Sequence, residues 1–105
     1  MARQKLEVIF SPDARRQLLQ LRAYDQRKIA DAIRKHLVES DPAEETRSKF
    51  ALQPAAELAD YELRADTFRV FYRIEQTGDE PRVVIAIIGR KDRNKLLVEG
   101  EEFSL

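Results

Sequence analysis

The chain contains no cysteine and no tryptophan, and it has one histidine and one methionine in 105 residues. The absence of cysteine excludes disulfide frameworks, thiolate metal sites and cysteine nucleophiles, and it suits a reducing compartment. No apolar run approaches the roughly 18 residues that a membrane span requires. The opening MARQKLEVIF lacks the long apolar segment of a signal peptide, so a cytoplasmic location away from membranes is expected. Three glycines and four prolines are too few for a loop-rich or low-complexity chain. There is no Gly-rich phosphate loop, no metal-ligand spacing and no Ser/His/Asp set, so neither a metal nor a small-molecule cofactor is expected. His36 stands alone between Lys35 and Leu37 on a helical stretch, and one histidine without an arranged partner is a poor acid–base candidate.

Charge, by contrast, is abundant: 36% of residues are Asp, Glu, Lys or Arg, and 19 cations cancel 19 carboxylates. The cancellation is not local. Residues 1–38 carry a balance of +5, residues 39–66 carry −5, residues 67–98 carry +3, and the last seven carry −3. A protein that grips nucleic acid without sequence preference is usually more lopsided than this. With 43% apolar residues, the length accommodates one domain, residues 1–105, around one modest core.

Periodicity places the elements. KLEVIF (5–10) reads as a strand with Leu6, Val8 and Phe10 inward. Ser11-Pro12-Asp13 is a helix start: serine caps a free N–H, proline suits the first helical position, and aspartate sits at the positive end of the dipole. Ala14, Leu18 and Leu21 then form the buried stripe of a first helix, with Leu19 broadening it. A second helix, capped by Asp25, runs to about Ser40 on the line Ile29, Ile33, Leu37, widened by Ala30, Ala32 and Val38. The short break between them makes an αα-hairpin, and Asp41-Pro42 ends it.

After an irregular region with one short extended piece at 49–52, three strands are expected at 61–64, 67–75 and 82–89. TGDEP (77–81) supplies the turn between the last two. In the middle strand Phe68, Val70, Tyr72 and Ile74 share one face, while Arg69, Phe71 and Arg73 share the other. VVIAII at 83–88 is apolar on both faces, the mark of a central strand. Residues 90–98 are expected to form a basic helical turn before the acidic tail EGEEFSL. Charge complementarity would let that tail, through Phe103 and Leu105, dock on the basic groove. The fold class is α+β: an N-terminal strand, an αα-hairpin, a three-stranded antiparallel meander and a short C-terminal segment.

In this order VIFSPDARRQLLQL (8–21), YELR (61–64), FRVFYRI (68–74) and IGRKD (88–92) resemble the RelE/ParE superfamily of type II toxin–antitoxin toxins. The resemblance extends over nearly the whole chain. It implies growth inhibition through a macromolecular target, and neutralisation by a cognate antitoxin protein. RelE-like members cleave mRNA on the ribosome, whereas ParE-like members inhibit DNA gyrase without nuclease chemistry. Position by position it implies catalytic roles for Arg69, Arg90 and Lys91, since guanidinium groups on a rigid sheet can stabilise a phosphoryl transition state. Arg64, Arg73 and Phe71 are the accompanying candidates for gripping target or antitoxin, with Phe71 placed for stacking.

Two features depart from the nuclease pattern. Asp60 and Glu62 stand where lysines are expected, and Leu97 stands near the position of an expected tyrosine. Arg69 and Arg73 could equally pair with these carboxylates across the sheet. ParE-like binding is therefore favoured, with a ribosome-dependent endoribonuclease as the alternative and a non-toxic antitoxin partner as a third reading.

Overall fold

A computed structural model describes residues 6–78 and 80–104. The chain is α+β, with two helices and a mixed, mainly antiparallel sheet. Strand β1 (Glu7–Phe10) leads into helix α1 (Pro12–Leu19) and helix α2 (Ala23–Ile33), and α2 continues into a π-helical turn at Arg34–Val38. Strands β2 (Lys49–Ala51), β3 (Tyr61–Ala65), β4 (Phe68–Thr77), β5 (Glu80–Asp92), β6 (Lys95–Val98) and β7 (Glu101–Glu102) follow, hydrogen-bonded in that order across the sheet. β1 lies parallel to the first half of β5, pairing Glu7 through Phe10 with Arg82 through Ile85. The expected starts at Lys5 and the residue Asp79 of the expected turn lie outside the described residues.

β5 is the central strand, as its apolar run implies. β4 covers one edge of it, while β1 and β6 divide the other. A bulge between Phe71 and Tyr72 shifts the β4–β5 register by one residue, so Ala86 and Ile87 both face away from the helices. The helix-side core joins Ile29, Ile33 and Leu37 to Phe68, Val70, Tyr72, Val83, Ile85 and Ile88. Burying each large side chain there contributes roughly 1.5–3 kcal/mol. On the opposite face Phe71 packs with Ala59, Ala86, Ile87 and Val98, and Phe103 of the tail leans on that second cluster.

Four local expectations need correction. Leu19 is 61% exposed, and Gln17 takes the buried position on α1 because it serves a backbone group of β5. Asp25 does not cap α2: Arg22 is the cap residue, and Asp25 in the first turn accepts from its guanidinium at 3.1 Å. Residues 90–98 form no helical turn but the end of β5 and the hairpin strand β6, because Leu96 and Val98 alternate onto the second cluster. Phe71, only 2% exposed, is core and offers no stacking face.

The end of α2 is fixed by a buried lysine. The π turn directs Glu39 N–H to Arg34 O at 2.8 Å, and the His36 carbonyl accepts from Lys49 Nζ at 2.5 Å. Lys49 also donates to Asp41 O at 2.7 Å while remaining 1% exposed. A cation at carbonyls of a helix C-terminus is favoured by the helix dipole. Alongside, Tyr72 stacks on Tyr61 with ring centroids 5.2 Å apart and donates its hydroxyl to Pro42 O at 2.7 Å. Burial pushes the Tyr72 phenol above its ordinary range, so it stays a donor. Replacing Lys49 with methionine takes a charged donor from two carbonyls at a partly buried site. Urea unfolding of Lys49→Met is expected to show a loss of about 2–4 kcal/mol, against under about 0.5 kcal/mol for a surface control such as Lys95→Met.

Candidate interaction groove

The groove begins with a gap in strand pairing. β1 accompanies β5 as far as Ile85, and β6 joins only at Arg90. Helix α1 closes the interval. Ser11 N–H donates to Ile85 O at 2.9 Å, Ser11 Oγ donates to Ala86 O at 2.8 Å, and Ile88 N–H donates to Gln17 Oε1 at 2.7 Å. Ser11 Oγ also accepts from Ala14 N–H at 3.0 Å, so one residue caps the helix and ties it to the sheet. Beyond Gln17 the helix and β6 diverge. A cleft of about 260 Å³ opens between Leu21, Ile88, Gly89 and Leu97, and it runs past Phe68 and Arg90 toward Lys28 and Lys91. At its floor a Cβ on Gly89 would lie 2.8 Å from Leu97 O, so the close approach of β6 requires glycine there.

Ion pairs frame the groove at both ends. Lys28 Nζ meets Asp66 at 2.8 Å, joining α2 to the β3–β4 turn, and Arg16 meets Glu99 at 2.8 Å, joining α1 to the β6–β7 turn. Asp66 (φ 59°) and Glu99 (φ 55°) both occupy the left-handed region, a conformation that disfavours non-glycine residues by roughly 1–2 kcal/mol. The Lys28 ammonium holds the Asp66 carboxyl below its ordinary range, and the Arg16 guanidinium does the same for Glu99. Asp25, buried at the wall, is matched by Arg22. Arg90 stands between these pairs with its guanidinium carbon 5.2 Å from the centroid of the Phe68 ring. Among the described residues neither Arg90 nor Lys91 has a carboxylate partner, although Asp92 lines the same groove.

The sequence candidates are divided rather than gathered. Arg90 pairs in register with Phe68 and lies on the helix side, whereas Arg69, one residue along β4, faces the other side. Arg69 donates to Asp66 O at 2.7 Å and Phe68 O at 2.9 Å, lies 3.5 Å from Glu62, and leaves 15% of its side chain exposed. Its guanidinium stitches the β3–β4 hairpin. Arg64 lies directly across from Arg69, shares Glu62 at 3.6 Å and covers the Phe50 ring at 4.9 Å. Arg73 binds Glu75 at 2.8 Å and Leu58 O at 3.1 Å. Cross-strand pairing with Glu62 thus occurs, while Asp60 uses its backbone to meet Tyr72 O at 3.0 Å. Leu97 lies opposite Arg90 on β6. Sequence reasoning missed Gln17, Lys28 and Asp66 as groove residues. A signal for Lys28 and Asp66 existed only in their pairing across 38 positions.

The tail touches the groove only at its start, where Glu99 and Gly100 line the cleft, and Phe103 does not dock there. β7 pairs with β6, and Phe103 N–H donates to Leu96 O at 2.9 Å on the far side of Leu97; Leu105 lies outside the described residues. Among the described residues no group of three or more His, Asp or Glu is placed to hold a metal ion, and no helix is long and apolar enough to cross a membrane.

Two measurements check this geometry. If Arg69 is a hairpin stitch, Arg69→Ala lowers unfolding stability by about 1–3 kcal/mol, because two carbonyls lose a charged donor. Arg90→Ala changes it by less than about 0.5 kcal/mol. For acid, Asp66 and Glu99 have folded values below their ordinary 3.8 and 4.5, so the stability they add is present above those values and is lost as pH falls through the folded ones. Asp66→Asn with Glu99→Gln therefore flattens the fall in stability below about pH 4.5, followed by thermal unfolding across an acid series.

Comparison of the chain with protein-family models and with curated proteins finds no match.

Proposed function

We propose that the protein is a toxin-like module of the RelE/ParE type, held by an antitoxin protein and acting by occupying a macromolecular target rather than by cutting RNA. The order of strand, αα-hairpin and antiparallel meander supports the scaffold assignment, together with the four sequence stretches that carry the resemblance. The observation that favours binding over cleavage is the separation of Arg69 and Arg90 onto opposite faces of the sheet. Transition-state stabilisation needs charges that converge on one phosphoryl group, and one of these two is already committed to backbone carbonyls. Proton transfer needs a group that can accept and return a proton at the reacting centre. The groove offers no histidine, its Asp25, Asp66 and Glu99 are each tied to a cation, and its remaining carboxylate, Asp92, is exposed to solvent at the end of β5. His36 is elsewhere, on the π turn, and burial with the neighbouring Lys49 charge keeps its imidazole pKa below the ordinary 6.5.

Induced expression in a bacterial host is expected to arrest growth without codon-positioned mRNA cuts, as read by primer extension. Co-expression of a small DNA-binding-type protein encoded beside the gene is expected to relieve the arrest. Codon-positioned cuts would replace this reading with the ribosome-dependent endoribonuclease. Growth unaffected by induction would replace it with a non-toxic antitoxin partner.

A further inference from the structure

The groove around Arg90 has features that the proposed toxin role does not use. Its floor is apolar, formed by Leu21, Phe68, Ile88 and Leu97, and the cleft there has room for one large apolar side chain. Its charges are sorted. The carboxylates Asp25, Asp66 and Glu99 are each neutralised by an arginine or lysine of the same chain, whereas Arg90 and Lys91 have no such partner among the described residues. Arg90 lies over Phe68, which favours this placement of the guanidinium while leaving the residue exposed. A guanidinium held in this way presents a fork of N–H donors, and a carboxylate matches that fork bidentately.

We infer that the groove docks a short segment of a protein partner that sets a carboxylate on Arg90 and drops a neighbouring large apolar side chain into the cleft between Leu21 and Leu97. The inference takes from the proposed function only the expectation that the partner is a protein. Charge complementarity selects this occupant over nucleic acid. A phosphate backbone carries a negative charge at every nucleotide and would pass Asp92, a groove carboxylate that no cation among the described residues pairs. A peptide can place one or two carboxylates where the unpaired cations are and present uncharged chain elsewhere. The chain's own acidic tail has the right composition, but it is already paired along β6 with Phe103 against the second cluster.

The test selects short random peptides displayed on phage against the full chain, and then measures the enriched peptides in solution by fluorescence anisotropy. Enriched sequences are expected to carry Asp or Glu beside Leu, Ile, Met or Phe. Arg90→Ala should weaken their binding about tenfold or more, the size expected for one charge-assisted hydrogen-bonded pair. Replacing the peptide carboxylate by its amide should weaken it similarly, and Arg47→Ala, exposed ahead of β2 at the opposite end of the sheet, should leave it unchanged. Enrichment without a carboxylate, an Arg90→Ala chain that binds as well as the parent, or no enrichment over the bare support overturns the proposal. So does a single-stranded RNA oligonucleotide that displaces the peptides and loses its own binding on Arg90→Ala. Growth arrest is scored separately. A chain that arrests growth yet selects no acidic peptide removes the groove inference alone, and a chain that selects such peptides without arresting growth removes the toxin reading alone.

Discussion

The interval of β5 between the end of β1 and the start of β6, left without a strand on that edge, sets the terms for the rest of the molecule. A buried backbone N–H without an acceptor costs about 1–3 kcal/mol, so Ile88 must find one. Gln17 supplies it from α1, and Ser11 supplies donors to Ile85 and Ala86 at the other end of the same gap. Those bonds fix where α1 lies. They also explain why its buried stripe holds a glutamine while Leu19 points outward. The connection from α1 to α2 is short, so the position of α2 follows, and with it the wall formed by Arg22, Asp25 and Lys28. The groove is therefore a consequence of how a pairing gap is filled. Gly89 completes it by letting β6 come in close from the other side.

The two ends of the sheet are built differently. At the β2 end a fully buried lysine, a buried tyrosine hydroxyl and stacked rings meet the end of α2, and their bonds are at least partly shielded from water. Such bonds are worth the most and are the most damaging to break. At the groove end, the Lys28–Asp66 and Arg16–Glu99 pairs are largely exposed, and pairs of that kind contribute little and weaken with salt. Local opening is expected to begin where bonds are exposed. A surface that must accept a partner is better placed at the weakly fastened end, where helices and hairpin can adjust without disturbing the core.

What was legible in the sequence was whatever depends on neighbours along the chain. Ser11-Pro12-Asp13 signals its helix start through local capping chemistry, and Ser11 does cap it. Alternation sorted Phe68, Val70, Tyr72 and Ile74 from Arg69, Phe71 and Arg73, and the packing keeps that division. The failures come from contacts between distant segments. Alternation places Phe71 on the face it occupies, but only the loop carrying Ala59 and the returning strand with Val98 make that face a core. Arg69 is occupied by a hairpin turn whose conformation at Asp66, a non-glycine residue with positive φ, has no clear local signature. For the groove, Arg90 and Lys91 were visible as a basic pair after Gly89, but the helix residues that complete it were not.

Neutrality of the chain hides the local charge at the groove. Arg16, Arg22, Lys28, Arg34, Arg64, Arg69, Arg73 and Arg82 each have a carboxylate within reach, so these eight cations are met inside the chain. Arg90, Lys91, Arg93 and Lys95 have none among the described residues, and all four fall on the β5–β6 hairpin beside the groove. At physiological ionic strength a field is screened over about 8 Å, so an approaching segment responds to these four and to Asp92 between them, not to the total of zero. Local excess of one sign, set against an apolar floor, discriminates by composition. It favours a chain with a few carboxylates and an apolar anchor over one that is acidic throughout, because Asp92 repels a charge that Arg90 and its neighbours do not meet.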